Sequence, residues 1–458
     1  MDALKSLDFL PSTHILTDPS SLQHYGKDWT TYFDIKASGI LFPRNTEEVV
    51  KIVKWARAHK VALIPSGGRT GLSGAACATQ GEVVVSFEKM NQILDFNPVD
   101  QTVVVEAGVI TETLQKFAES KGLYYPVDFA ARGSSQIGGN IATNAGGIKV
   151  VRYGMTRQWI AGLTAVAGTG EVLHLNNGLI KNATGYDLRQ LFIGSEGTLG
   201  FVTEALIQLA PKPAPSRVLL LACQQLSDIM KVFQAFKEST SLVAFEFFSA
   251  KALHYVQKST HLPDPLPSKS DYYIVTEVEC PHDAEEEKVL GVFEKSLEQG
   301  WIVDGAMAQS GKQATDFWRY REDISESLSP FSPYKNDISV KISKVPDFMA
   351  DMEGVFQKSY PTWEVIWFGH IGDGNLHINI LRPQNMTKEE FVRECQKVDV
   401  KVFEAVSRHT GSISAEHGVG LTKKPFLSFT RSAAEIALMR GIKKVFDPDG
   451  ILNPGKVF

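Results

Sequence analysis

Apolar residues in the N-terminal part of the chain alternate between helical and strand-like spacing. Residues 45–48 have the composition of a helix capping box, and the apolar residues of 49–56 recur at helical spacing behind it. Short apolar runs at residues 61–64, 82–87 and 102–106 predict strands. This alternation indicates an α/β domain in the first part of the chain.

Segments rich in proline and glycine divide the rest of the sequence into predicted elements. Alternating prolines in residues 210–215 predict a stiff, extended connector, and a second proline-rich stretch at 262–267 predicts a surface loop. Strand-like runs at 364–369 and 376–381 flank a Gly-Asp-Gly-Asn turn, which predicts a β-hairpin. We therefore expect a C-terminal α+β domain after the connector.

Bulk composition limits the class of protein. A chain of 458 residues with 43% hydrophobic and 22% charged residues is typical of a globular enzyme with two domains. The net charge of -5 argues against a nucleic-acid-binding protein. Four widely spaced cysteines with no CxxC pair favour a reducing compartment, and no apolar run reaches the ~18 residues of a membrane span. We expect a cytoplasmic protein without a transmembrane segment.

Glycine is concentrated in three segments of the N-terminal domain, residues 66–74, 138–147 and 194–200. Glycines let a backbone approach a ligand and present amide groups to phosphate. The first segment has GxxGxxG spacing, so neither the Rossmann fingerprint nor a P-loop is present. A single such loop is commonly just a tight turn, but the three together, with Asn, Ser and Thr among the glycines, indicate a dinucleotide cradle.

The sequences PSGGRTGLSG, IGGNIATNAGG and LFIGSEGTLG resemble the FAD-binding loops of the vanillyl-alcohol oxidase fold. From about residue 40 to the C-terminus the chain resembles FAD-linked D-2-hydroxyacid dehydrogenases, most closely the D-2-hydroxyglutarate dehydrogenases. This resemblance implies an α+β protein with a two-subdomain PCMH-type FAD-binding domain over residues 36–212. An FAD-linked oxidase C-terminal domain, with an antiparallel sheet and flanking helices, would follow over 216–458, its last residues returning to the FAD domain.

The resemblance also implies which residues hold FAD, the first loop at the pyrophosphate and the others at the flavin. The FAD-binding residues that it implies are Ser66, Gly67, Gly68, Arg69, Thr70, Gly71, Ser73, Gly138, Asn140, Thr143, Asn144, Gly147 and Glu196. Some relatives attach FAD covalently through a histidine directly after SGG. Arg69 stands at that position here, so we expect non-covalent FAD.

Two histidines and a Glu-His pair form the second candidate site. The predicted hairpin brings His370 and His377 together, while Glu416 and His417 lie among glycines farther along. Spacing alone indicates a metal site of open identity, with purely structural histidines as the alternative. The resemblance assigns His370, His377 and Glu416 as ligands and His417 as the catalytic base. Such a donor set suits Zn²⁺, while Mn²⁺, Fe²⁺ or Co²⁺ also fit.

The substrate pocket is inferred from the same resemblance. Residues 318–325 predict a helix that carries Arg321 and Ser325 on one face, where an arginine by itself is commonly salt-bridged at the surface. The resemblance implies binding of the distal carboxylate by Arg321, Ser325 and Lys335. The full set of implied substrate residues is Arg321, Ser325, Lys335, Asn379 and His417. Many relatives have threonine at the position of Ser325, which leaves D-malate as a competing substrate.

The implied reaction is FAD- and metal-dependent oxidation of D-2-hydroxyglutarate to the 2-keto acid, with hydride transfer from C2 to flavin N5. Three alternatives stay open: a D-lactate or glycolate dehydrogenase of the same fold, a zinc hydrolase, and a non-catalytic flavin-binding subunit. Relatives pass electrons to acceptors such as electron-transfer flavoprotein or a quinone, and no motif here chooses among them. A homodimer is compatible with the sequence.

Overall fold

The computed structural model describes residues 3–30 and 32–458, which separate into two compact units. Unit 1 comprises the chain up to Gly147, Gly154–Lys212 and Glu416–Phe458, and unit 2 comprises Ile148–Tyr153 and Pro213–Ala415. The chain therefore crosses between the units more than once.

Strands and helices alternate along the described residues. The strands are β1 (Ile15–Leu16), β2 (Gly39–Leu41), β3 (Leu63–Ser66), β4 (Val83–Ser86), β5 (Ile93–Asn97), β6 (Thr102–Glu106), β7 (Leu123–Tyr124), β8 (Ile160–Ala167), β9 (Val172–Leu175), β10 (Gly200–Gln208), β11 (Ala210–Pro211), β12 (Ser216–Cys223), β13 (Ser241–Ser249), β14 (Tyr272–Glu279), β15 (Asp304–Met307), β16 (Tyr334–Ser339), β17 (Val365–Gly369) and β18 (Asn375–Ile380). The α-helices are α1 (Pro19–Tyr25), α2 (Thr46–His59), α3 (Thr111–Ser120), α4 (Ile137–Thr143), α5 (Val150–Tyr153), α6 (Arg189–Phe192), α7 (Leu226–Ser239), α8 (Ala250–Thr260), α9 (Asp283–Glu298), α10 (Gly311–Glu322), α11 (Ile324–Leu328), α12 (Val345–Ser359), α13 (Lys388–Arg408) and α14 (Ala433–Phe446). Short 3-10 helices connect several of them.

Unit 1 contains two main sheets. The first has the strand order β1-β2-β4-β3, with β2, β4 and β3 parallel, and the second is antiparallel in the order β5-β6-β10-β8-β9. Helix α2 begins because the Asn45 side chain accepts a hydrogen bond from the Glu48 amide at 2.9 Å. Near the C-terminus Leu452 forms a parallel bridge with Leu63 of β3, so the end of the chain extends the first sheet.

Unit 2 is built on one antiparallel sheet with the order β15-β12-β14-β13-β17-β18-β16. Its core joins buried side chains of the sheet, such as Phe248 and Val275, to Tyr255 of α8 and Phe317 of α10. Burial of this apolar area is the main stabilising contribution to such a sheet-and-helix layer. The polar side chains of the same sheet form the candidate site.

Most elements predicted from the pattern are confirmed, with small shifts of their ends. The predicted strand at 102–106 coincides with β6, and the one at 61–64 begins two residues later as β3. Only the Asn45 half of the predicted capping box is formed, because the Glu48 carboxylate accepts a hydrogen bond from the Arg44 amide. The predicted hairpin is present as β17 and β18. Within the described residues, no helix combines the length and the apolar character that crossing a membrane requires.

Candidate active site

One face of the sheet in unit 2 carries a row of polar side chains around His377. His377 of β18 lies opposite Asp337 of β16 and Phe368 of β17. Two residues farther along β18, Asn379 lies opposite Lys335. Opposite residues of antiparallel strands and residues two apart in one strand share a face. We call this surface, with the nearby Glu246 of β13, the polar face.

A tight hairpin brings His370 beside His377. A side chain on Gly369 would place its Cβ 2.5 Å from the carbonyl oxygen of Asn375, and Gly374 has a φ of 86°, so glycine is required at both positions. The two imidazole centroids lie 5.2 Å apart at an interplanar angle of 81°, and a nitrogen of one ring lies within 4.8 Å of a nitrogen of the other. The spacing can be spanned by one cation bound to both rings.

A buried carboxylate lies near Nδ1 of each imidazole, but only the one at His370 is within hydrogen-bond distance. Glu246 Oε1 lies 2.8 Å from His370 Nδ1, and Asp337 Oδ1 lies 3.7 Å from His377 Nδ1. Asp337 is itself fixed by a hydrogen bond of 2.7 Å from Asn375 Nδ2. A carboxylate that accepts from Nδ1, as Glu246 does at His370, selects the tautomer in which Nε2 is the ligating nitrogen, the usual arrangement around metal-binding histidines. The donor set of the polar face therefore fits a divalent cation.

Sequence reasoning missed both carboxylates. Glu246 stands in the otherwise apolar strand Ser241–Ser249 and is 1% exposed. A charged residue inside such a strand is costly to bury unless it is paired, which was a usable signal. Asp337 gave no comparable signal, because its strand is mixed in character.

Arg321 also reaches the polar face, from α10. Its side chain is buried, with Nη2 2.8 Å from Glu246 Oε2 and its guanidinium carbon 5.0 Å from the ring centre of Phe368. That contact is an ion pair without hydrogen-bond geometry, since neither Nη2 nor Oε2 has a hydrogen-bond partner among the described residues. Arg321 Nε and the nearly fully buried Asn379 Oδ1 have none there either. Buried polar atoms without partners are uncommon in folded proteins, so these two fit contacts with a ligand.

The helix predicted over residues 318–325 is present but interrupted at Asp323. Helix α10 ends at Glu322 and α11 begins at Ile324, with Asp323 at a ψ of -3° between them. Arg321, in α10, is buried, whereas Ser325, in α11, is exposed. The two side chains therefore differ in exposure, and aspartate is a residue that competes with helix continuation.

Lys335 lies on β16 at the other end of the polar face. Much of its side chain is exposed, yet desolvation by the surrounding protein lowers the pKa of its ammonium group. Burial also raises the pKa of Asp373, in the hairpin turn, to about 6. An anionic ligand near Lys335 would offset the desolvation of its charge.

In unit 1, the first glycine loop starts where β3 ends. Ser66 Oγ and Gln136 Oε1 are buried and lack hydrogen-bond partners among the described residues. A Cβ on Gly67 would lie 3.4 Å from Gln136 Oε1, whereas a Cβ on Gly139 would meet nothing within 4 Å. Unsatisfied polar atoms beside open space fit the phosphates and ribityl hydroxyls of a dinucleotide such as FAD.

Other glycines of these loops are required by packing of the protein itself. A Cβ on Gly68 would lie 2.0 Å from the carbonyl oxygen of Ser134, and one on Gly147 would lie 2.1 Å from that of Asp128. Gly138 donates a backbone hydrogen bond of 2.7 Å to Ala107. The loops are thus pressed together by backbone contacts that any side chain would prevent.

Several polar residues predicted to bind FAD also contact protein. Asn140 Nδ2 donates to Thr111 Oγ1 at 2.7 Å, and Thr143 Oγ1 donates to the carbonyl of Gly139 at 3.1 Å. Asn144 ends α4 in the left-handed conformation with a φ of 53°. These contacts fix the shape of the second loop.

The first loop packs against the side chains of Tyr25 and Asp28. The guanidinium of Arg69 lies 4.6 Å from the ring centre of Tyr25. A Cβ on Gly71 would lie 3.4 Å from Asp28 Oδ2, and Ser73 is buried. Thr70 lies between them and is partly exposed.

Glu196, predicted near the flavin, has its carboxylate bonded to the segment that follows His417. Its two oxygens accept hydrogen bonds from the amides of Val419 at 2.7 Å and Gly420 at 2.8 Å. Burial raises the pKa of Glu196 to about 7, although these amide hydrogen bonds oppose the shift. The same loop carries the pair Glu416 and His417, whose Oε1 and Nε2 lie 3.6 Å apart. Because Glu196 binds two amides of this loop, it anchors the segment directly after the pair.

Comparison with known proteins identifies two family domains. A family model described as FAD binding domain matches residues 37–176, and one described as FAD linked oxidases, C-terminal domain, matches residues 212–457. A D-2-hydroxyglutarate dehydrogenase of Stutzerimonas stutzeri is 55% identical over 100% of this chain and 98% of its own length. The mitochondrial D-2-hydroxyglutarate dehydrogenase of Bos taurus is 36% identical over 100% of this chain and 83% of its own.

Solved structures of distant sequence share the fold. An alkyldihydroxyacetonephosphate synthase has a TM-score of 0.76 at 17% identity and covers 99% of this chain and 84% of its own. A p-cresol methylhydroxylase with bound substrate has a TM-score of 0.76 at 15% identity and covers 100% of this chain and 96% of its own. The predicted fold, a PCMH-type FAD-binding domain followed by an FAD-linked oxidase domain, is confirmed.

Proposed function

This chain belongs to the family of FAD-linked oxidases, and from that premise we propose that it oxidises D-2-hydroxyglutarate to the 2-keto acid. The observation that carries the proposal is the polar face of unit 2. Two cationic side chains belong to it. Lys335 lies on the same face of the sheet as His377, and Arg321 forms an ion pair with Glu246, which is also hydrogen-bonded to His370. A substrate with two carboxylates and a 2-hydroxyl group matches that combination of charges and metal ligands.

The distal carboxylate of the substrate is assigned to Arg321 and Lys335. The guanidinium of Arg321 offers a planar pair of donors, while Lys335 offers a point charge. Asn379 supplies a further polar contact to the substrate. Ser325 is kept as a weaker assignment because its side chain is exposed and separated from Arg321 by the helix break.

The metal ligands are assigned to His370, His377 and Glu416. The hydrogen bond of Glu246 at His370 Nδ1 supports this for His370, and the 5.2 Å between the two ring centroids supports it for His377. Chain connection supports it for Glu416, since Glu416 directly follows Ala415, the last residue of unit 2. A bound Zn²⁺, or Mn²⁺, Fe²⁺ or Co²⁺, supplies Lewis acidity that lowers the pKa of the substrate hydroxyl.

His417 is assigned as the base that takes the hydroxyl proton. An imidazole has a pKa near the working pH, which suits it to proton transfer. The glycines that follow His417 and the anchor at Glu196 hold its loop in place. Bound FAD supplies the acceptor for the hydride that leaves C2 of the substrate.

FAD is assigned to the loops of unit 1, held without a covalent bond. Arg69 supports this, because it occupies the position at which covalently flavinylated relatives carry histidine, and a guanidinium forms no such bond. The unpartnered Ser66 Oγ and Gln136 Oε1 support the location.

The proposal is tested by anaerobic reduction of the bound flavin. Purified, metal-replete protein is mixed with D-2-hydroxyglutarate, D-malate, D-lactate or the L-enantiomers, and absorbance near 450 nm, about where oxidised flavin absorbs, is followed. D-2-hydroxyglutarate should bleach the flavin fastest, and chelation of the metal should abolish the reaction. The His417→Ala variant should react on the order of 10²–10⁴ times more slowly. A flavin that no hydroxy acid bleaches contradicts the proposal.

Substrate choice is decided by Lys335→Ala. If the chain oxidises a dicarboxylate, this variant should lose rate with D-2-hydroxyglutarate and keep its rate with D-lactate, which has no distal carboxylate to pair. Equal rates of variant and unmodified protein with D-2-hydroxyglutarate would favour a D-lactate or glycolate dehydrogenase instead.

We further propose a cytoplasmic location and transfer of electrons to an acceptor such as electron-transfer flavoprotein or a quinone, with homodimer formation. The four cysteines support a reducing compartment, because each is buried as a free thiol. Fractionation of cells and reduction of candidate acceptors by the purified protein would test these assignments.

A further inference from the structure

Glu246 connects the metal-binding and the substrate-binding parts of the polar face. Its Oε1 lies 2.8 Å from His370 Nδ1, and its Oε2 lies 2.8 Å from Arg321 Nη2. These two partners have different assigned tasks, one at the metal and one at the distal carboxylate of the substrate. A single side chain thus orients both.

The surroundings of Glu246 make this arrangement specific. The carboxylate is 1% exposed and lies between Phe245 and Phe247 in the strand Ser241–Ser249. A buried carboxylate is strongly destabilising unless it is paired and hydrogen-bonded. Since each oxygen faces one partner, the side chain cannot turn toward one of them without abandoning the other.

We propose that Glu246 is a positioning residue that orients both the ligand His370 and the substrate-binding Arg321. The inference rests on the proposed function. Acceptance at Oε1 requires the Nδ1–H tautomer of His370, which leaves Nε2 as the ligating atom. The ion pair at Oε2 holds the Arg321 guanidinium beside the carboxylate, while Oε2, Nη2 and Nε have no hydrogen-bond partner among the described residues. Both effects prepare the polar face before substrate arrives.

The Glu246→Gln variant separates the two oxygens at nearly constant volume. A carboxamide has one acceptor oxygen and one NH₂ group, and both partners of Glu246 are donors. The NH₂ group must therefore face either His370 Nδ1–H or the guanidinium, and one of the two contacts is lost. Glu277→Gln, on the neighbouring β14 of the same sheet, is the matched control, because Glu277 is partly exposed and its carboxylate accepts a hydrogen bond from Ser216 rather than from the polar face.

The first measurement is Zn²⁺ affinity of the full-length, FAD-loaded protein, by competition with a chromogenic chelator and without substrate. Glu246→Gln should bind Zn²⁺ about 10–100 times more weakly, the usual loss for a residue behind a ligand. The second measurement is KM at saturating Zn²⁺. KM for D-2-hydroxyglutarate should rise about tenfold or more, while KM for D-lactate stays within about twofold, because only the former uses Arg321.

A second variant guards against loss of folding. Arg321→Lys keeps the positive charge but not the planar donor group, so the carboxylate of Glu246 loses one fixed partner. Zn²⁺ affinity should then fall about two- to tenfold, although Arg321 is not a ligand. Thermal stability and flavin content of each variant are measured alongside, and Glu277→Gln should leave Zn²⁺ affinity and both KM values unchanged.

The outcomes are distinct. Unchanged Zn²⁺ affinity in both Glu246→Gln and Arg321→Lys, with an unchanged ratio of the two KM values, overturns the positioning role while leaving the proposed function intact. Unmodified protein that neither binds Zn²⁺ nor oxidises D-2-hydroxyglutarate refutes the proposed function itself, and the positioning role with it.

Discussion

The glycine loops of unit 1 and the polar face of unit 2 are built on opposite principles. In the loops, ligand space is shaped by backbone, and a Cβ on Gly68 or Gly147 would collide with a carbonyl oxygen. On the polar face, side chains from several strands and a helix meet, and each is held by another side chain, as Glu246 holds His370 and Arg321. Backbone contacts suit a large cofactor, whereas paired side chains suit a small charged substrate and a metal.

The difference teaches where each region tolerates change. The backbone segments of the loops pack closely because glycine has no side chain, so any added atom collides with a neighbouring segment. A network of charged groups is set by partners, so removal of one group leaves another buried and unpaired. Three substitutions test this contrast, beginning with the largest expected effect.

Removal of a ligand from the polar face should have the largest effect. His377→Ala should weaken Zn²⁺ binding by more than the ~10–100-fold that residues behind a ligand cause, and turnover should be lost with it. Flavin content, measured as the ratio of absorbance near 450 nm (about the flavin maximum) to that of protein, should stay unchanged. His174→Ala on β9, an exposed histidine of unit 1, is the control. Loss of flavin from His377→Ala would contradict the separation of the two regions.

Addition of one methyl group to the first loop should have the next largest effect. The Cβ of Gly68→Ala would lie 2.0 Å from the Ser134 carbonyl oxygen, so the backbone must shift. We expect a cost of up to about 3 kcal/mol, or about 100-fold weaker FAD binding in a reconstitution titration, with Zn²⁺ affinity retained. Gly291→Ala on α9, where a Cβ meets nothing within 4 Å, should bind FAD normally. Full flavin retention in Gly68→Ala would show that the loop is not set by backbone packing.

The smallest effect is expected at Glu196, whose carboxylate accepts hydrogen bonds from backbone amides in unit 1. Glu196→Gln keeps one acceptor for the amides of Val419 and Gly420 and leaves one buried donor unsatisfied. The free energy of unfolding in urea should fall by about 1–2 kcal/mol. Glu119→Gln at the exposed end of α3 serves as the reference. Equal stability of the two variants would argue against an anchoring role.

Much of the fold was predictable because local rules agree with the tertiary structure. The Asn45 cap of α2 and the Gly-Asp-Gly-Asn turn between β17 and β18 act over a few residues, so neighbours in sequence suffice to specify them. The break at Asp323 was not predictable in the same way. Its residues have an ordinary helical pattern, and the position of Arg321 depends on a partner, Glu246, that is distant in sequence.

By itself, the sequence determined the glycine loops, the histidine hairpin and the family that they resemble, because each of these features depends on residues that are adjacent in the chain. Only the tertiary structure decided which carboxylates stand behind the histidines, that Ser325 faces solvent, and that the carboxylate of Glu196 holds the loop after His417. The physical reason is that charges pair across strands and loops far apart in the chain. Burial then makes each such pair obligatory, since an unpaired buried charge is too costly to keep.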